Sequence, residues 1–201
     1  MITAHVGKSE QQKYLHEIEL IAKSIDISKI EELIEILSRV KSSKGRLFIL
    51  GIGGSAGNAG HAVNDFRKLA GIETYAPTDN ISEITARTND EGFETVFEGY
   101  LSVSKLNSQD CILILSVGGG DLEKNVSKNL CVAIDYAKTK SARIIGIVGK
   151  EGGFTQKHAD VCLIIPQVNP IHITQHSEAF QAVIWHLIVS HPKIKENPTK
   201  W

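Results

Sequence analysis

Residues 46–55 read RLFILGIGGS, an apolar run that ends in a glycine-rich turn. A helical pattern follows at residues 56–69. Residues 111–120 repeat the arrangement as CILILSVGGG, and a second helical pattern then extends to about Lys138. Buried apolar strands that alternate with helices are typical of a parallel sheet covered on both faces. The sequence therefore predicts an α/β protein, with strands at residues 46–50, 111–116, 143–148 and 161–165.

Two amphipathic helices precede the first strand, at residues 14–25 and 27–40. Their apolar side chains recur at helical spacing, so each helix has an apolar stripe that needs a partner. The pair must pack either on the body of the domain or on another subunit, and we expect it to take part in oligomer packing. A last helix is predicted at residues 174–190, before Pro192.

The length of 201 residues fits a single domain. No internal repeat or linker divides it, and we interpret residues 1–42 as a helical pair and residues 43–201 as the α/β body. The 22 basic and 23 acidic residues give a net charge of -1, and no stretch concentrates Lys or Arg. This balance argues against a nucleic-acid partner and favours a small ligand.

The three cysteines, Cys111, Cys131 and Cys162, lie far apart in apolar surroundings. Their odd number and their spacing favour buried reduced thiols over a disulfide framework. The N-terminal segment lacks the apolar stretch of a signal peptide, and no apolar run approaches the ~18 residues of a membrane span. We therefore expect a cytoplasmic protein without a membrane partner.

The first glycine turn, residues 51–55, lies where a strand ends and a helix begins. It lacks the third glycine of the dinucleotide fingerprint, because Ala56 stands there, and no P-loop lysine follows. Ligands of parallel sheets bind at the carboxyl ends of the strands. The backbone of Gly53 and Gly54 and the hydroxyl of Ser55 could therefore meet an anion at the positive end of the helix, although a plain tight turn would look the same.

The second turn, residues 116–121, reads SVGGGD and is a candidate anion-binding nest. Asp121 allows two interpretations: it caps the following helix, or it is a free carboxylate that repels a phosphate unless Lys124 offsets its charge. The candidate anion ligands are the hydroxyl of Ser116 and the amides of Gly118, Gly119 and Gly120.

Four side chains are candidate metal ligands or acid–base groups. His61 and Asp65 are four residues apart on one helix and share a face, although a surface pair would have the same spacing. Glu178 and His186 are eight residues apart, which is ~12 Å along a straight helix. Either the last helix begins after Glu178, or the two residues reach one site from different subunits, or they are satisfied interface residues. His176 is a further candidate ligand.

These residues in this order resemble the sugar isomerase (SIS) domain and, within it, the phosphoheptose isomerase family. The resemblance covers nearly the whole chain. It includes the helical pair, the Gly-x-Gly-Gly-Ser turn, His61 six residues after that serine, the segment NDEG at 89–92, and a final helix whose motif ends in His186. It implies a flavodoxin-like, doubly wound fold in a homotetramer with active sites between subunits.

The resemblance also implies a reaction. Members of the family interconvert a ketose phosphate and an aldose phosphate, in many cases with bound zinc. The implied conversion is sedoheptulose 7-phosphate to D-glycero-D-manno-heptose 7-phosphate, which supplies a surface polysaccharide. Asp65 is expected to be the base and His186 the acid, while Asn89 and Asp90 meet sugar hydroxyls. The family's metal positions fall on His61, Asp65, Glu178 and His186, and its substrate positions on Gly53, Gly54, Ser55, Ser116, Gly118, Gly119, Gly120 and Asp121.

The sequence departs from the family pattern at several of these positions. Asp65 replaces Glu and reaches one methylene less, and Glu178 replaces Gln and adds a charge that favours a divalent cation. Ile52 replaces Asn, and SVGGGD stands where the family has Ser-x-Ser-Gly-x-Ser. Two alternatives to the implied reaction are therefore an isomerase of another sugar phosphate and a non-catalytic SIS protein that serves as a scaffold.

Overall fold

The computed structural model describes residues 9–200. From β1 onward each strand is followed by one or two helices, in agreement with the alternation that the apolar runs predict. The strands are β1 (Leu47–Leu50), β2 (Thr74–Tyr75), β3 (Cys111–Ser116), β4 (Arg143–Val148) and β5 (Val161–Ile164). The helices are α1 (Glu10–Ser24), α2 (Ile27–Ser42), α3 (Gly54–Lys68), α4 (Ile81–Asp90), α5 (Val96–Val103), α6 (Lys128–Thr139), α7 (Gly153–His158) and α8 (Ile173–Ser190).

The five strands form one parallel sheet in the order β2-β1-β3-β4-β5. This is the flavodoxin-like order, so the expected doubly wound α/β fold is confirmed. All four strands that the apolar runs predict are present. The edge strand β2 escapes sequence reasoning because it is only two residues long and has no apolar run of its own.

Alternate side chains of the central strands enter two separate cores. Leu47 and Ile49 of β1 face a core that they share with α2, α3 and α8. Phe48 and Leu50 point to the opposite face, where α5 and α6 cover the sheet. A strand buried on both sides has no polar positions to alternate with, which explains the continuous apolar runs in the sequence.

The N-terminal helices have well-formed starts. Ser9 and Gln12 form a reciprocal capping box at α1, and the Asp26 carboxylate accepts hydrogen bonds from the amides of Ser28 and Lys29 at α2. The apolar stripe of α2 lies in the core of the same chain, so this helix packs on the body of the domain. In α1, Ile21 is the one fully buried residue.

The helix after the second glycine turn begins later than predicted. Residues 117–127 form an irregular loop with an antiparallel bridge between Asp121 and Val126, and α6 starts only at Lys128. The loop arises because Gly119 and Gly120 have positive φ angles of 73° and 86°, which direct the chain away from a helix.

The cysteines are free thiols, as the sequence predicts. Cys111 and Cys131 are buried, and Cys162 is partly buried. Burial raises the pKa of Cys131 to about 11 and that of Cys162 to about 12, so both thiols are protonated near neutral pH. Within residues 9–200, no helix combines the length and the apolar character that crossing a membrane requires.

Replacing Leu37 by Ala tests whether α2 belongs to the core of the chain. Leu37 is fully buried, so we expect the free energy of unfolding to fall by about 2–5 kcal/mol in denaturant titrations. Leu15→Ala on α1 is the matched control, because Leu15 is 63% exposed and its loss should cost less than about 0.5 kcal/mol. Equal effects at the two positions would contradict the assignment.

Candidate functional site

Helices α3 and α8 lie side by side on one face of the sheet and run in the same direction. Near their middle, the amide of Asn58 donates hydrogen bonds to the carbonyl oxygen of Glu178 at 2.9 Å and to Oε1 of Gln181 at 3.1 Å. Gln181 is fully buried, and buried polar groups are costly without partners. This contact therefore sets which residues of the two helices face each other.

The register brings together three of the four predicted metal ligands. The ligating atoms of His61, Asp65 and His186 all lie within 4.8 Å of one another. Oδ2 of Asp65 is 3.8 Å from Nε2 of His186, and the two imidazole rings meet edge to face with centroids 5.2 Å apart. We call this group the α3–α8 cluster.

The tautomer of His186 follows from its backbone contact. Nδ1 lies 2.8 Å from the carbonyl oxygen of Ala182, and a carbonyl can only accept, so Nδ1 carries the proton. In the neutral ring, Nε2 then has a free lone pair on the side of Asp65. Such a backbone bond from the second nitrogen is the usual way in which a ligating histidine is oriented.

The α3–α8 cluster fits a divalent transition metal. Two imidazoles and one carboxylate are a donor set that zinc accepts, with a fourth position left for water or substrate. His61 and His186 are exposed and Asp65 is partly exposed, so the group is accessible from solvent. All three residues come from one chain, so the site does not need Asp65 and His186 from different subunits.

Glu178 is not part of the α3–α8 cluster of its own chain, and its predicted contribution to a metal site from another subunit stays a prediction. Helix α8 begins at Ile173, before Glu178, so the alternative of a later helix start is wrong. The Glu178 carboxylate lies instead against Gly54, so close that a methyl group at this glycine would collide with it. The positive end of α3 favours a negative charge at this place.

The first glycine turn lets another side chain approach its backbone closely. Gly53 has φ 63° and ψ -128°, a conformation that residues with a side chain rarely adopt. Gly54 leaves the room that the Glu178 carboxylate occupies. The predicted anion position at this helix start therefore already faces a carboxylate of the same chain, and Ser55 is only 2% exposed.

The second glycine turn is tied to the start of α7. The amides of Phe154 and Thr155 donate to the carbonyl oxygens of Gly120 and Gly119 at 2.8 Å and 2.9 Å. Oγ of Ser116 accepts a 3.0 Å hydrogen bond from the Gly119 amide. The expected nest is thus altered, because the Gly119 amide is turned toward Ser116 and already bonded.

Asp121 caps a turn and not a helix, so the interpretation as a helix cap is wrong, whereas Lys124 lies beside it as the other interpretation requires. Its carboxylate accepts a 2.9 Å hydrogen bond from the Lys124 amide, whereas α6 begins only at Lys128. That amide, with the Lys124 ammonium, holds the pKa of Asp121 below its usual value. The ammonium lies 3.5 Å from Oδ2 and offsets the charge.

Two cavities lie above the carboxyl ends of the strands. One of about 370 Å³ adjoins the second turn and is lined by Gly118, Gly120, Asp121, Lys124, Val126, Lys150, Glu151, Gly153, Gln167 and Ile173. The other, of about 440 Å³, is lined by Ile52, Phe93, Glu94, Asn125, Ser127, Lys128 and Asn129. The second cavity follows β1 next to β3, where the strand order reverses and ligands of such sheets bind.

Sequence reasoning missed the residues at the start of α6. Ser127 is the N-cap of this helix but makes no capping hydrogen bond with its side chain, and Lys128 follows it in the cavity wall. Asn125 and Ser127 have φ angles of 56° and 50°, a strained conformation that often marks binding sites. The sequence did contain a signal for these residues, namely a serine and a lysine directly before an apolar helical pattern.

Asn89 and Asp90 lie at the end of α4, exposed to solvent. The Asn89 amide donates a 2.7 Å hydrogen bond to the Asp90 carboxylate. Neither residue lines the cavity within one chain, whereas Phe93 and Glu94 from the same segment do. Their predicted contact with sugar hydroxyls stays a prediction.

Comparison with known proteins gives a consistent result. The family model of the SIS domain matches residues 13–149. A phosphoheptose isomerase of Geotalea daltonii is 30% identical over 178 residues, which cover 82% of this chain and 89% of that relative. A phosphoheptose isomerase of Syntrophotalea carbinolica is 25% identical over 184 residues, 88% of each chain. The structure of phosphoheptose isomerase from Neisseria gonorrhoeae has the same fold, with a TM-score of 0.75 at 21% identity over 88% of this chain and 91% of that one.

Neighbouring glycines of the second turn provide a matched test of its packing. A methyl group on Gly119 would collide with the Gly152 carbonyl oxygen, on a backbone with positive φ. We expect Gly119→Ala to lower the free energy of unfolding by about 2–5 kcal/mol in denaturant titrations. Gly118 has open space around it, so Gly118→Ala should change that energy by less than about 1 kcal/mol. A tolerated Gly119→Ala would contradict this packing.

Proposed function

The chain belongs to the SIS-domain family, and on this premise we propose that it is a metal-dependent aldose–ketose isomerase of a sugar phosphate. The substrate we propose is sedoheptulose 7-phosphate, and the product is D-glycero-D-manno-heptose 7-phosphate, a precursor of surface polysaccharide. The relatives that bear the name phosphoheptose isomerase support this choice. The observation that carries it is the α3–α8 cluster, which places a carboxylate beside two imidazoles on adjacent helices.

The reaction moves one proton between adjacent carbons and one between the oxygens they carry. Asp65 is proposed as the base that takes the proton from C1 of the ketose and returns it to C2. The intermediate enediolate needs a second group that exchanges the proton between O1 and O2, and Nε2 of His186 is proposed for this step. With 3.8 Å between Oδ2 of Asp65 and this nitrogen, both can reach adjacent atoms of one substrate.

His61, Asp65 and His186 would hold the metal, which when bound supplies a Lewis acid that polarises the sugar carbonyl. His186 has only one nitrogen available, because Nδ1 is committed to the Ala182 carbonyl oxygen. Its Nε2 therefore either binds the metal or carries the proton, and does one of these at a time. The proposed acid role and the proposed ligand role of His186 are thus experimentally separable.

The phosphate is proposed to bind in the cavity at the start of α6. Free amides at a helix N-terminus favour an anion, and Ser127 and Lys128 add a hydroxyl and a positive charge. The first turn is less suitable, because the Glu178 carboxylate already lies there. The sugar would extend from this cavity toward the α3–α8 cluster of a neighbouring subunit in a homotetramer.

Substitutions at Asp65 and His186 test the chemical step. We expect Asp65→Asn and His186→Ala each to lower turnover by about 10²–10⁴-fold, because each removes a proton-transfer group. The measurement is an NMR time course of zinc-loaded protein with sedoheptulose 7-phosphate, which follows the aldose signal.

The matched control is His158→Ala, which removes a histidine outside the cluster and should leave turnover unchanged. The zinc content of His186→Ala relative to wild type separates its two roles: loss of one zinc per chain assigns the ligand, and an unchanged zinc content assigns the acid. Wild-type protein that forms no aldose would contradict the proposed reaction and leave the scaffold alternative.

Mixing inactive chains tests how the site is shared. Chains with Asp65→Ala and chains with His186→Ala should not recover activity when they form hetero-oligomers, because both residues belong to the cluster of one chain. Asp65→Ala mixed with Lys128→Ala should recover part of the activity, because the cavity and the cluster are proposed to come from different subunits. Activity assays of verified hetero-oligomers decide this, and recovery by the first pair alone would contradict the arrangement.

A further inference from the structure

A second group of ligating side chains lies outside the α3–α8 cluster. It consists of Glu17 on α1 together with His172 and His176 at the start of α8, and we call it the α1–α8 cluster. Oε2 of Glu17 is 2.8 Å from Nδ1 of His172 and 2.7 Å from Nε2 of His176. The ligating atoms of all three side chains lie within 4.8 Å of one another.

The atoms that converge in the α1–α8 cluster are two imidazole nitrogens and one carboxylate oxygen, each of which can offer a lone pair. A proton or a cation must therefore lie between each nitrogen and the carboxylate oxygen. The amide of Asn169 donates to Oε1 of Glu17 at 2.7 Å and lies 3.3 Å from Nδ1 of His172. That nitrogen thus faces an amide donor as well as a carboxylate, an arrangement that suits a lone pair directed at a cation.

The Glu17 carboxylate lies at the centre of the α1–α8 cluster, where it contacts His176, His172 and Asn169. It lies mostly out of solvent, with 14% of its side chain exposed. A carboxylate oxygen in such a place is suited to bind a cation.

The ligands are also held in place by packing. The ring of Tyr14 stacks on His176 with centroids 4.6 Å apart and meets His172 edge-on at 5.1 Å. The His176 side chain is only 4% exposed. Its Nδ1 is buried and has no hydrogen-bond partner among residues 9–200, so Nε2 is the nitrogen of this ring that makes a polar contact. Rigid ligands lose little entropy when an ion binds.

We propose that Glu17, His172 and His176 form a second metal site, which takes a divalent transition cation of the zinc class. Two imidazoles and a carboxylate are ligands that zinc prefers over magnesium or calcium. In a tetrahedral zinc site, with ligands at ~2.0–2.1 Å, neighbouring ligand atoms are about 3.3 Å apart. The nitrogen–oxygen distances here need to widen by only about 0.5 Å to accept the ion.

The site would join the N-terminal helix to the body of the domain. Helix α1 has one fully buried residue, Ile21, whereas α8 is anchored in the core along its length. A cation bound by one residue of α1 and two at the start of α8 ties these helices together. Because such an ion binds the folded chain only, it should stabilise the fold in proportion to its occupancy.

The test uses the full chain with the α3–α8 cluster disabled by His61→Ala and His186→Ala. We expect this double variant to bind one Zn²⁺ per chain, by calorimetry and by metal analysis after desalting. At Zn²⁺ about 100-fold above Kd, its Tm should rise by about 5–10 °C. Adding His172→Ala should weaken binding by more than the roughly 10–100-fold that loss of an outer-shell partner costs.

The matched control is His16→Ala in the same background, which removes an exposed histidine next to Glu17 and should leave Zn²⁺ binding unchanged. Glu17→Gln is a second ligand variant of almost equal size, and circular dichroism verifies that each variant is folded. A double variant that binds no Zn²⁺, or binds it equally with His172→Ala or with Glu17→Gln, overturns the proposal. None of these measurements depends on isomerase activity, so they stand apart from the proposed function.

Discussion

The parallel packing of α3 against α8 is the constraint on which the candidate site depends. The apolar face of α8 is buried in the core, and the contact between Asn58 and Gln181 sets its register along α3. That register places His186 beside His61 and Asp65, and places Glu178 over the first turn of α3. A slip of one helical turn, ~5.4 Å, would separate every one of these pairs.

The same register distributes charge over the two helix starts near the carboxyl edge of the sheet. At α3, the Glu178 carboxylate already lies at the positive end of the helix, against Gly54. At α6, Ser127 and Lys128 border a cavity. The Ser127 side chain accepts no hydrogen bond from the amides at the start of the helix. The charges near the two helix starts therefore favour an anion at α6 more than at α3.

Helix α8 also links two groups of potential ligands. His172 and His176 at its start meet Glu17 of α1, while His186, more than two turns further on, meets His61 and Asp65 of α3. Both groups combine two imidazoles with one carboxylate, yet their surroundings differ. His176 is buried and held by Tyr14, whereas His61 and His186 are exposed. The buried group is suited to hold α1 in place, and the exposed group is suited to meet a substrate.

The sequence by itself determined the fold class, because short continuous apolar runs that end in glycine turns and alternate with helical patterns are typical of strands buried on both faces. Helical spacing placed His61 and Asp65 on one face, and the resemblance to the phosphoheptose isomerase family, carried by residues of the sequence, joined them to His186. Only the tertiary structure decided that Glu178 lies apart at Gly54, that α6 begins after an eleven-residue loop at 117–127, and that Glu17 meets His172 and His176. The loop follows from the positive φ angles of Gly119 and Gly120. The other two outcomes depend on how α8 packs against α1 and α3, and contacts between residues more than 100 positions apart leave no periodic signal in the sequence.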